Sequence, residues 1–68
     1  MTLDAQLLAA HAAANKAVLV DLYTKAADEA RTTDAACFYL THAYVFALET
    51  NAPTKDALHE RLRQHGRV

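Results

Sequence analysis

Hydrophobic positions recur along this chain at intervals of three and four, interrupted by short polar stretches. Leu19, Leu22, Tyr23, Ala26 and Ala30 fall on one stripe of a helix, with Asp21, Lys25, Asp28 and Glu29 away from it. Leu58, Leu62 and His65 make a narrower stripe, and Lys55, Glu60, Arg63 and Gln64 face water. Leu3, Leu7, Ala10 and Ala14 form a third contact line. One segment differs. CFYLTHAYVFAL, residues 37–48, carries no formal charge and is hydrophobic nearly all round, the pattern of a helix with neighbours on several sides.

Capping residues divide the pattern into four helices. Thr2 caps the first, which has Asp4 in its first turn and runs to about Ala13. Asn15 caps the second, from Lys16 to about Ala30. Thr33 caps the third, Asp34 to Glu49, with Asp34 at its positive end. Pro53 stands at the start of the fourth and Gly66 closes it. No segment reads as a strand. The pattern therefore predicts a single all-α domain over residues 1–68, built as two antiparallel helical hairpins, 2–30 and 33–66. The helix Asp34–Glu49 is expected to be central and mostly buried, sheltered by the other three. Ala43 and Ala47 on it, and Ala26 and Ala30 on the second helix, allow close approach, with Tyr23, Phe38, Tyr39, Tyr44 and Phe46 filling the space alongside.

Composition sharpens this picture. Sixteen alanines against one glycine and one proline favour helix throughout. A chain of 68 residues buries only about 60% of its unfolded surface, so its core is marginal. Cys37 is the single cysteine, which excludes an intrachain disulfide and suits a reducing compartment. With no basic stretch in MTLDAQLLAA, the expected location is cytoplasmic. The uncharged run falls short of the roughly 20 residues that span a bilayer, so no membrane is expected. The net charge of −1 and the mixing of signs argue against nucleic acid as a partner. The basic end, RLRQHGRV, reads as a helix C-terminus whose Arg61, Arg63 and His65 complement the helix dipole.

LTHAY, Leu40–Tyr44, resembles the leucine–glycine–x–alanine–tyrosine signature in the first helix of a tetratricopeptide repeat, with Thr41 in place of the glycine. LYTKAADEA, with Tyr23 three residues before Ala26, resembles that repeat's second helix. LTHAYVFALE is also similar to a run shared by short bacterial proteins, a resemblance that implies no activity. The repeat resemblance implies a binding module whose concave face is drawn from Phe38, His42, Val45 and Phe46, joined by Asp4, Leu8 and His11 of the first helix. Phe38, Val45 and Phe46 also fit a plain core. Repeat arrays generally need three or more units to bury their apolar faces. Two hairpins leave such surface open, and a homo-oligomer or a protein partner is expected to cover it.

Candidate chemistry is sparse. His42 reads either as a partner-contacting or ligand-binding imidazole or as a half-buried one hydrogen-bonded to a carbonyl or hydroxyl. Cys37 and His42 do not share a helix face as an i, i+4 pair would. With His59 and His65 they lack the spacing of a zinc site, so no metal or other cofactor is expected. The carboxylates stand singly, and no glycine-rich loop exists to cradle phosphate. The expected function is a non-catalytic protein–protein interaction module or accessory subunit. The alternatives are a small metal-binding or enzymatic protein using Cys37 and the histidines, or a regulatory factor using Arg61, Arg63 and Arg67.

Overall fold

Thr2, Asn15 and Thr32 each begin a helix by the same chemistry. A side-chain oxygen accepts the backbone N–H three residues on, at 3.1 Å from Ala5, 3.3 Å from Val18 and 3.1 Å from Ala35. The computed structural model describes residues 2–68, and its helices are α1 Leu3–Ala12, α2 Lys16–Glu29, α3 Thr33–Thr50 and α4 Lys55–Gln64. No strand occurs among the described residues. The third cap is Thr32 and not Thr33. Thr32 has the extended backbone of a cap, whereas Thr33 is already the first helical residue. α4 starts at Thr54 without a side-chain cap.

Three helices end alike. The N–H groups of Asn15, Ala52 and Arg67 reach back to the carbonyls of Ala10, Ala47 and Leu62, at 2.9, 2.8 and 2.9 Å. This closure turns the preceding residue left-handed. Gly66 (φ 71°) and Asn51 (φ 52°) suit that conformation. Ala14 (φ 53°) does not, because its Cβ crowds the backbone there. α2 ends differently: Ala30 is extended, and the chain passes through Arg31 and Thr32 straight into α3.

The helices are neighbours in chain order: α1 lies on α2, α2 on α3, and α3 on α4, with no other pair in close backbone contact among the described residues. The α2–α3 contact is by far the largest. The Cα positions extend 32 × 28 × 12 Å. A second layer of helices would add roughly 8–10 Å to a Cα cylinder already ~5 Å across, so this thickness holds one twisted layer. The main core joins Val20 and Ala27 of α2, Cys37, Leu40, Ala43 and Ala47 of α3, and Leu58 and Leu62 of α4. Leu40, Ala43 and Ala47 are wholly buried. Among the described residues no polar or charged residue is buried.

The single layer changes the expected position of the uncharged helix. α2 and α4 flank α3, while α1 stands beyond α2, so three neighbours do not enclose it. α3 is buried along the Cys37–Leu40–Ala43–Ala47 stripe, half-buried on its flanks and exposed on its back at Phe38, Thr41, Val45 and Leu48. His65 likewise leaves the α4 stripe for solvent, because the helix stops at Gln64.

Because Ala14 is exposed and left-handed, glycine fits better there. Ala14→Gly should raise the Tm by a few degrees, the net of relieved strain and added unfolded-state entropy, about 0.5–1 kcal/mol. Thermal unfolding followed by circular dichroism checks this, and a lower Tm contradicts it.

Candidate interaction face

Tyr23 of α2 is the hub of the aromatic side chains. Its ring stacks on His42 (centroids 5.1 Å apart, planes at 26°) and on Phe46 (6.0 Å, 16°), both from α3. Its hydroxyl lies 2.8 Å from Nε2 of His11, which brings in α1. The His11 ring also meets the edge or face of Phe46 at 6.0 Å. Phe38 packs on His42 at 4.5 Å and, T-shaped, on Tyr39 at 5.5 Å. Offset and edge-to-face pairs of this kind add about 0.5–1.5 kcal/mol each beyond the area they bury. They hold α1 against α3 through side chains although the two backbones stay apart.

His11, Phe38, His42 and Phe46, read from the sequence as one face, are thus joined around Tyr23. Val45 completes a shallow, largely apolar cleft of about 210 Å³ with Thr41, His42 and Phe46. Leu8 shares the face of α1 with His11, one turn away, and is 72% exposed. Asp4 lies in the first turn of the same helix. Phe38 and Val45 are exposed, and Phe46 is half-buried.

His42 is half-buried, and its Nδ1 lies 2.9 Å from the Phe38 carbonyl. A carbonyl only accepts, so Nδ1 carries the proton and donates it. In the neutral ring Nε2 is then left as an acceptor. Beside it, Asp34, Cys37, Phe38, Thr41, His42 and Arg67 line an open cleft of about 420 Å³. Cys37 and His42 therefore border one space despite lying on different helix faces. Cys37 is nonetheless buried. His59 packs against Tyr44 and His65 is exposed, so these histidines do not converge with Cys37. Among the described residues no three His, Cys, Asp or Glu side chains group as a metal site would require.

Each arginine of the basic end meets a carboxylate of its own chain. Arg61 binds Asp28 at 2.7 Å, Arg63 binds Glu60 at 2.5 Å and Arg67 binds Asp34 at 2.5 Å. The hydrogen bond from Arg63 holds the Glu60 carboxyl below its ordinary pKa, and the same bond raises that of Arg63. Arg67 is raised by its hydrogen bond with Asp34, and its side chain lines the same cleft as Cys37. Exposed pairs of this kind contribute little to stability. Their consequence is electrostatic: the basic end is locally neutralised.

In the sequence Tyr23 shows as part of the α2 stripe and as filling between helices, not as the hub. The usable signal is its hydroxyl, which needs a polar partner where the ring packs into a core. His11 supplies that partner across the α1–α2 turn. No known protein family, curated protein or solved structure matches the chain. Among the described residues no helix is long and apolar enough to cross a membrane.

The His42 geometry is checked by ¹⁵N NMR of the neutral imidazole. The proton is expected on Nδ1, and a proton on Nε2 would contradict the bond to Phe38.

Proposed function

We propose that the chain is a non-catalytic protein–protein interaction module of tetratricopeptide-like character, working through the face built from Leu8, His11, Phe38, His42, Val45 and Phe46. The observation that carries this reading is the continuity of that face. Aromatic contacts fix its rings in place, while Phe38 and Val45 stay 59% and 46% exposed. A rigid apolar surface left open on a small chain is an interaction site more often than a neutral feature. Aromatic side chains fixed by their neighbours also lose little entropy on binding.

Two features favour a protein partner over the alternatives. The arginines are already engaged with Asp28, Glu60 and Asp34, which weakens the attraction for phosphate that nucleic-acid binding needs. Catalysis would need a positioned base and nucleophile. Here the one thiol that could serve as nucleophile, Cys37, is buried. A lone buried thiol also fits a reducing compartment, and we place the module in the cytoplasm on that ground.

Native mass spectrometry of the protein, gently purified from its own cells, tests the reading. The expected result is a species heavier than one chain, either a multiple of it or a complex with another polypeptide. A bare single chain at cellular concentration would remove the reading.

A further inference from the structure

The exposed back of α3 has a period of its own. Phe38, Thr41, Val45 and Leu48 follow one another at intervals of three, four and three, the a/d spacing of a coiled-coil seam. All four are exposed, and Leu48 stands at 52%. They face away from the buried Leu40, Ala43 and Ala47, on the longest helix of the chain. Between Phe38 and Leu48 the seam carries no charge. The hydroxyl of Thr41 already donates to the Cys37 carbonyl at 2.8 Å, so covering it would leave no orphaned donor. Such a seam fits a helix.

We propose that the helix it takes is α3 of a second copy, packed antiparallel about a two-fold axis near Ala43. This rests on the reading of the chain as an interaction module and names its partner. In that register Phe38 meets Leu48 of the second copy and Thr41 meets Val45, so the outer levels pair two large side chains and the inner levels two β-branched ones. The charges at the ends select the direction. Glu49 of one copy comes beside Cys37 of the other, which shares its cleft with Arg67. Within one chain Glu49 already pairs with Lys16 at 3.1 Å, and Arg67 with Asp34. The two pairs then join as Lys16, Glu49, Arg67 of the second copy and its Asp34, a row of alternating sign formed twice by symmetry. Parallel packing would bring Glu49 to Glu49 and Arg67 to Arg67 instead. The two-fold contact is self-complementary, as a closed dimer requires.

Sedimentation equilibrium of the full chain at micromolar to millimolar concentration tests this, alongside Val45→Glu and Glu49→Arg, with helicity checked by circular dichroism. Both positions are exposed, so both variants should fold. The expected result is a dimer for the unaltered chain that weakens as salt rises, a helical monomer for Val45→Glu, and at least a tenfold weaker dimer for Glu49→Arg that no longer weakens as salt rises. A dimer indifferent to Val45→Glu overturns the seam, and one indifferent to Glu49→Arg overturns the antiparallel register. An unaltered chain that stays monomeric throughout overturns the second copy as occupant. If that same chain binds a different polypeptide in native mass spectra, the interaction reading survives while this inference fails.

Discussion

Close packing of α2 on α3 is the contact on which the rest of this small structure depends. Val20 and Ala27 from one helix meet a cluster that includes Leu40, Ala43 and Ala47 from the other, and the last three are wholly shielded from solvent. Small side chains at these positions let the backbones approach, and the larger Leu40 fills the space that remains. Neither flanking helix has a comparable contact: α1 reaches only α2 and α4 only α3 at the backbone. Their positions are therefore inherited from the central pair. Its core contains no buried polar residue among those described, so the arrangement is held by burial and fit, without directional bonds.

A one-layer arrangement around that pair has a functional consequence. Each helix in a single layer has two open faces, and α3 is the helix whose sequence is least suited to showing one to water. Tyr23 manages part of this surface by stacking with His42 and Phe46 and by drawing His11 across from α1. What remains open is the line from Phe38 to Leu48. The same shortage of helices that makes the core marginal thus creates the surface through which the chain would associate.

Much of the helical order was legible in the sequence, because a 3.6-residue period leaves a clear trace when a helix buries one side. Leu58 and Leu62 are a plain example. α2 was harder. It packs against α1 on one side and α3 on the other, so Leu19 and Ala26 are buried together with Val20 and Ala27, one residue further round. A single stripe cannot describe a helix with two partners. For α3 the absence of charge says that burial is favoured but not which burial is supplied within the chain. Of the candidate face, the residues on α3 were readable from spacing along one helix. The His11–Tyr23 bond was not, since it depends on a turn whose left-handed residue is an alanine.

Close helix packing can be probed at Ala43, which is fully buried in the core shared by α2, α3 and α4. Urea unfolding of Ala43→Leu should show a loss of about 1–3 kcal/mol, because the added carbons force apart helices that alanine lets approach. A stability unchanged within about 0.5 kcal/mol, the range of ordinary surface substitutions, would mean that close helix packing is not what holds the fold.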